Sequence, residues 1–476
     1  MNKILMIDSL IHKWLLTFAA IIVIGGLPGD LWGRTIYVSS SEGLTGNSGD
    51  NVLRPIADIR KAINEADTIL LKAGDVFFEG GLQLSGKMLS RYGQGVNPTI
   101  CGFKRILTPR WTNVGKNEWR LNIKEDNYAG IILSGSSTSN NICVFHDYER
   151  DQIHGRKVWK KEEMAMDWDF WQTETLSNAK GSEYDEVYLY LTEDPNRLKL
   201  EMSIYDQALR VSNGTVDGVN FVGFGFGISA GTRTTIRNCR IDAMGGRIIP
   251  EGKGYICYGN GIEFWIGGTN DKEDCLVENC YVSRCYDCGI TIQGSGGTTA
   301  TPRNIIIRNN LITNCCQGWE DFLRNNSDVK FENCVFENNI ILRSGNTTGW
   351  GYAPSRFKYC HVLGNNFLGN KGMRIENNVF ADGNFYCSGT YNNGYRSNHW
   401  KGNKCYLSPG DFVLGEYNGK RDVLRMNSTR RKSFSEITRY RELTGDETTV
   451  FYVQSQKKVS ARADKLERKF LKRNRY

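Results

Sequence analysis

Six segments of the chain superimpose on a single asparagine, and this recurrence constrains the fold more tightly than any other feature. The anchors are Asn238, Asn279, Asn309, Asn333, Asn365 and Asn377. Two residues before each stands an apolar side chain: Ile236, Val277, Ile307, Phe331, Leu363 and Ile375. Three residues after stands a second one: Ile241, Val282, Ile312, Phe336, Leu368 and Phe380. The residue directly following the anchor is Cys239, Cys280, Asn310, Cys334, Asn366 or Asn378, always Cys or Asn. The first five anchors stand 41, 30, 24 and 32 residues apart, which suits coils of about 20 to 30 residues carrying insertions of varying length. The last step, 12 residues, is too short for a coil and reads as two faces of one turn. Units of this size cannot bury a core alone and must stack on one another. Asparagine accepts the left-handed backbone of a tight turn, and stacked amides can bond along the stacking axis.

Composition agrees with a strand-built stack. The 476 residues include 52 Gly, a residue that weakens helices, while 11% aromatic residues supply the burial that disordered chains lack. At the N-terminal end, Thr35-Ile36-Tyr37-Val38-Ser39 alternates as a strand, and Ile56, Ile59, Ala62 and Ile63 fall at helical spacing. The run Thr68–Asp75 then reads as a buried strand and turn. Such a helix between strands would cap the first coil, which otherwise exposes its core. From Arg105 to about Arg210 the texture changes: five tryptophans and the alternating run Val187-Tyr188-Leu189-Tyr190-Leu191 replace the asparagine pairs. The resulting division is a signal peptide or N-terminal anchor at 1–33, a cap and first coils at 34–104, and a β-rich insertion at 105–212. Coils then occupy 213–410, and a basic segment occupies 411–476.

The net charge of +8 is concentrated at one end. Residues 420–476 hold 17 Lys and Arg against seven Asp and Glu, leaving the preceding body close to neutral. A neutral body argues against a nucleic-acid partner, which needs a basic face on the fold itself. The terminal segment places Val459, Leu466, Phe470 and Leu471 among nine basic residues, so it either caps the C-terminal end of the stack or attracts acidic glycan or lipid headgroups. Lys3 and Lys13 precede the apolar run Trp14–Ile24, which is shorter than the roughly 20 residues of a membrane span. This predicts export to the periplasm or cell surface, with an uncleaved anchor as the alternative. Of the 14 Cys, those in the repeat column are expected to pack unpaired as small hydrophobes. No metal site is assigned.

The repeat, together with the entry segments Thr35-Ile36-Tyr37-Val38 and Asp67–Asp75, resembles the right-handed parallel β-helix superfamily of pectin-lyase-like proteins, in particular its carbohydrate-active members. The resemblance covers about residues 35–100 and 216–406. It implies an all-β solenoid, monomeric, acting on a polysaccharide that is either neutral or acidic. The stretch Asn260-Gly261-Ile262-Glu263 resembles the Asn-Gly-x-Glu element of alginate- and chondroitin-lyase-like β-helices. The Lys-Ser and Arg-His-Gly elements of those enzymes are replaced here by Gly289–Gly294 and Gly318–Arg324. Calcium would be implied only if the chain were a lyase.

A second alignment supplies candidate chemistry. Gly227-Ile228-Ser229, Gly261-Ile262-Glu263, Gly289-Ile290-Thr291 and Gly318-Trp319-Glu320 place residues 228, 262, 290 and 319 inward and Ser229, Glu263, Thr291 and Glu320 outward. The next outward column is Trp265, Gln293 and Phe322, with Arg324 beyond it. Coils stack about 4.8 Å apart, so Glu263 and Glu320 should stand roughly 9.6 Å apart at the backbone. Inverting glycosidases hold two carboxyl groups about 6.5–9.5 Å apart, leaving room for a water. Glu263 and Glu320 are therefore the expected acid and base, with Asp321 and Arg324 shaping the site. Trp265, Gln293 and Phe322 are expected to contact sugar. Asp321 interrupts the inward apolar column, and a carboxylate there needs a partner. Elimination on a uronic acid remains open, with bases from Arg247, Lys253, Tyr255, Tyr258 or His361 (with Arg356 and Lys358 nearby), as does a glycan-binding or surface-structural protein without catalysis.

Overall fold

The computed structural model describes residues 33–476 apart from 108, 124–144, 148, 151, 159, 173–185, 246, 252–253, 268–271, 296, 324–327, 346–359, 365–371, 384, 390–397, 417–420, 427–433 and 475. Three ten-stranded sheets run the length of the stack, the first starting at Thr35–Val38, the second at Leu82–Ser85 and the third at Val76–Phe77, each made of one short strand per coil. Pairing between successive coils is parallel almost throughout; the exception is the last pair of the second sheet, Phe412–Glu416 with Arg421–Arg425. The chain is an all-β parallel β-helix, and right-handed coiling is the handedness parallel crossovers adopt. One continuous core fills it, from Ile36 and Val38 at the first coil to Leu414 and Tyr440 at the last. Among the described residues no helix is long and apolar enough to cross a membrane.

The turn after each first-sheet strand carries the repeat. Gly218, Asn238, Asn279, Asn309, Asn338, Asn377 and Gly402 all hold φ between 53° and 69°, a left-handed conformation that only Gly and Asn adopt at low cost. The following residues stack inside the coil. Asn310 Oδ1 accepts from the Cys280 amide at 2.8 Å, Asn339 Oδ1 from both the amide and the side chain of Asn310, and Asn378 and Asn403 continue the series. Each Nδ2 also donates to a carbonyl of the preceding coil, such as Asn339 to Ile307 at 3.0 Å. All four asparagines are fully buried, so the amides satisfy backbone groups that water cannot reach.

The register differs from the sequence alignment at two anchors. Arg308, Glu337 and Glu376 pair in one row, which puts Asn338 and Asn339 in the ladder in place of Asn333 and Cys334. Asn333 instead forms a second turn with Asp274 and Asn304, all at φ near 53°. Leu363 lies in the second sheet, paired with Glu320 and Ser388, so it is not a ladder flank; Asn365 and Asn366 fall outside the described residues. With those corrections the 12-residue step disappears. Cys239 and Cys280 do occupy the ladder column and are buried.

At the N-terminal end the helix Ile59–Glu65, capped by Asp58 Oδ1 accepting from the Lys61 amide, buries Ile59, Ala62 and Ile63 against the first coil. Strands between Phe103 and Ser203 form a four-stranded and a five-stranded sheet outside the stack. They share their own core of Trp111, Phe145, Phe170, Leu189, Met202 and neighbours. Gln207–Ser212, read above as part of the insertion, is already a second-sheet strand, pairing with Leu82–Ser85 and Phe226–Ala230.

The C-terminal end departs from expectation. The stack is closed by the helix Phe434–Thr444, which inserts Tyr440 and Leu443 into the main core, with the Tyr440 ring 4.9 Å from Phe451. The terminal helix Gln456–Arg473 does not cap the end. It runs back along the outer face of the third sheet, packing Ala463, Leu466 and Phe470 on Leu311, Leu342 and Ala381. Its 18 residues span about 27 Å, five to six coil spacings at about 4.8 Å each. That outer face is apolar, and the helix is what removes it from water.

Candidate functional site

The second sheet positions the candidate residues. Its strands Gln207–Ser212, Phe226–Ala230, Ile262–Ile266, Cys288–Gly294 and Gln317–Leu323 pair in register, giving the row Arg210, Ser229, Glu263, Thr291, Glu320. Gln83 precedes Arg210 in the coil before. Ile228, Ile262, Phe264, Ile290, Ile292 and Trp319 alternate with this row into the core, so the row faces away from it. A parallel row holds Trp265, Gln293 and Phe322.

Burial separates this row from an ordinary solvated sheet face. Glu263 is 7% exposed and Glu320 2%, with Thr291 and Gln293 beside them at 0% and 4%. Glu320 Oε2 accepts from Gln293 Nε2 at 2.7 Å and from Thr291 Oγ1 at 3.0 Å. Glu263 Oε2 accepts from Asn260 Nδ2 at 2.9 Å, and Asn260 Oδ1 in turn takes the Cys288 amide at 3.1 Å. Burying a carboxylate is costly unless donors reach it, and here they come from the coil between the two acids and from the turn before Glu263. Two strand spacings separate Glu263 from Glu320, roughly 9.6 Å at the backbone.

Next to Glu263 the same face opens into a cleft of about 600 Å³ lined by Gln83, Arg210, Ser229, Trp265 and Lys272, among others. Trp265 is 38% exposed and offers an apolar ring face to anything lying in the cleft. Burial pushes the Lys272 amine below the usual lysine range, with the nearby Cys275 and Glu263 acting in the opposite direction. The cleft and the carboxylates thus adjoin along one row of the sheet. Among the described residues no three His, Cys, Asp or Glu side chains converge in a way that could hold a metal ion.

Other sequence candidates separate from this arrangement. Asp321 sits in the inward row of Phe264 and Ile292, on the far side of the strand from Glu320, with Asn398 Nδ2 at 3.5 Å from its Oδ1. Arg324, Lys253, Arg356 and Lys358 lie outside the described residues. The strands bearing Arg247, Tyr255 and Tyr258 form a two-stranded hairpin. The sequence offers Asn260 only within the Asn-Gly-x-Glu element and does not mark Lys272 or Arg210 as chemical groups. Asn260 carried a signal, standing three residues before Glu263, but Lys272 and Arg210 look like ordinary surface cations until the cleft is formed.

His361 is fully buried inside the coil, its Nδ1 2.9 Å from Ser344 Oγ and its ring 5.5 Å from Phe380. The ring fills the space over Gly383, where a Cβ would come within 2.5 Å of it. This placement removes it from the catalytic candidates. Burial depresses its pKa from 6.5 to about 3. The unfolded chain therefore binds a proton below pH 6.5 that the folded chain refuses. Stability from this residue is complete above pH 6.5 and is lost as pH falls toward 3. His361→Phe should accordingly remove about 2 kcal/mol of the stability lost between pH 6.5 and pH 5. Urea unfolding at both pH values checks this; equal pH dependence in the two proteins would refute it.

No protein-family model matches the chain, and no curated protein matches it by sequence. Among solved structures it is similar to XylC, solved in complex with xylose, at 12% identity and a TM-score of 0.42, covering 88% of this chain and 82% of that one. It is also similar to a structure described as a glycoside hydrolase, at 11% identity and a TM-score of 0.40, covering 80% and 94%. A third is an alginate lyase from Paenibacillus sp. str. FPU-7, at 11% identity and a TM-score of 0.38, covering 80% and 91%. At these values no activity carries over to this chain.

Proposed function

We propose that this chain is an exported carbohydrate-active enzyme that hydrolyses a polysaccharide, with Glu263 and Glu320 as the paired carboxyl groups. The observation that carries the reading is their joint burial on the outward face of the sheet, two coils apart, beside a cleft edged by an exposed tryptophan. Glu320, which accepts hydrogen bonds from Thr291 and Gln293, takes the role of base. Glu263 takes the role of acid, and a water between them over Thr291 attacks the sugar with inversion. Trp265 stacks on an adjacent ring, and Arg210 and Lys272 favour a glycan with acidic groups.

Lys272 supports a second reading. An amine depressed by burial beside Glu263 is suited to abstract a proton next to a carboxylate, which would make the reaction a β-elimination. Incubation with panels of neutral and acidic polysaccharides separates the two. Hydrolysis yields new reducing ends without ultraviolet absorbance; elimination yields both, because it leaves a conjugated double bond. Neither signal on any glycan would reject an enzymatic role and leave a glycan-binding protein.

A further inference from the structure

The terminal helix Gln456–Arg473 is charged in a one-sided way. It carries eight Lys and Arg against two acids, Asp464 and Glu467. Both acids are engaged by one side chain just after the third-sheet strand Ile340–Leu342: Arg343 lies 2.5 Å from Asp464 Oδ1 and 2.8 Å from Glu467 Oε2. Helical periodicity places Lys458, Arg462, Lys465, Lys469 and Lys472 on a single stripe, at spacings of four, three, four and three. The apolar stripe of Ala463, Leu466 and Phe470 lies between that row and the acids, and it is occupied by the sheet. Arg462 stands over the Tyr406 ring at 5.0 Å, fixing the row against the solenoid wall, while the four lysines are exposed.

We propose that this row is a docking surface for a linear acidic polysaccharide, separate from the second-sheet site and independent of the reading given to it. The row extends about 21 Å along the stack, with about one cation per 5 Å, a spacing on the scale of one sugar ring in an extended chain. Duplex DNA presents a charge every 1.7 Å or so, a much denser pattern. A membrane-surface helix uses its apolar face to enter the bilayer, but here that face is already spent on Leu311, Leu342 and Ala381. What remains exposed is an ordered line of cations on a rigid support, so a polyanion of matching repeat can bind without ordering the helix first. Its function would be to hold the protein on an acidic glycan, whatever the second-sheet site does.

The test compares the full chain with the quadruple variant Lys458→Gln, Lys465→Gln, Lys469→Gln, Lys472→Gln, which leaves the packing residues and Arg343 untouched. Binding is measured to sodium polygalacturonate, to an uncharged glucan, to phosphatidylserine vesicles and to duplex DNA over a range of salt. The wild-type chain should prefer polygalacturonate. The variant should bind it at least about tenfold more weakly, with the slope of log affinity against log salt shallower by roughly three. Its thermal unfolding midpoint should be unchanged. The Glu320→Gln variant should bind as wild type, which keeps this result distinct from any failure of the catalytic reading. Unaltered polygalacturonate binding in the quadruple variant, absence of binding by the wild type, or stronger binding to vesicles or DNA would each overturn the proposal.

Discussion

Glu320→Gln should lower the rate of glycan cleavage about 10³-fold, within the range that a general acid–base group contributes. The substitution keeps the size and planarity of the side chain but removes the charge and the proton-accepting oxygen. Thr291 and Gln293 now donate to Glu320 Oε2; an amide can still accept from one of them, so the fold should persist and glycan binding should be retained. The loss should therefore fall on kcat rather than KM. Glu263→Gln should be comparably impaired, and for substrates with a good leaving group its deficit should shrink, because an acid matters least when the departing oxygen needs no proton. Steady-state kinetics of the two variants on the glycan that gives product provides the check. Wild-type turnover in Glu320→Gln would remove that residue from the mechanism.

The largest expected effect on stability comes from the interior ladder. Asn339→Ala should destabilise the protein by about 3–4 kcal/mol, because it leaves buried hydrogen-bonding groups without partners. Asn339 Oδ1 accepts from the Asn310 amide at 2.9 Å and from Asn310 Nδ2 at 3.0 Å, while its Nδ2 donates to Ile307 O and Asn378 Oδ1. Water cannot replace these contacts, since the ladder asparagines are completely buried. The neighbour Asn338 provides the control. It holds φ 54°, which glycine adopts freely, so Asn338→Gly should change stability by no more than about 0.5 kcal/mol. Urea denaturation of both variants measures the contrast. Equal, small effects would mean that the ladder contributes little to the stack.

The sequence by itself determined the fold and the facing of the candidate row. Asn and Gly at left-handed turns, flanked by apolar residues at fixed offsets, leave a stacked coil as the arrangement that buries every repeat. Once strands are accepted, the two-residue alternation places Ser229, Glu263, Thr291 and Glu320 on one side and Ile262, Ile290 and Trp319 on the other, as the pairing shows. Those signals are local, and local chemistry is what a single chain displays. The mixture of apolar and basic residues in the terminal segment was legible for the same reason.

Tertiary structure alone decided the rest. Asn333 and Asn338 both carry a left-handed turn and similar flanks, so only pairing between coils selects Asn338 for the ladder. Leu363 has the spacing of a first-sheet residue, yet it pairs in the second sheet with Glu320 and Ser388. The terminal helix had to cover some apolar surface, and its destination depended on Leu311, Leu342 and Ala381, residues more than 75 positions earlier that share one face only after stacking. Burial of Glu263 and Glu320, and the cleft that gathers Arg210, Trp265 and Lys272, likewise exist only when separate coils are laid side by side. Alternation and turn chemistry act over a few residues; register, burial and clefts are properties of contacts between residues far apart in the chain, and the sequence carries no local mark of them.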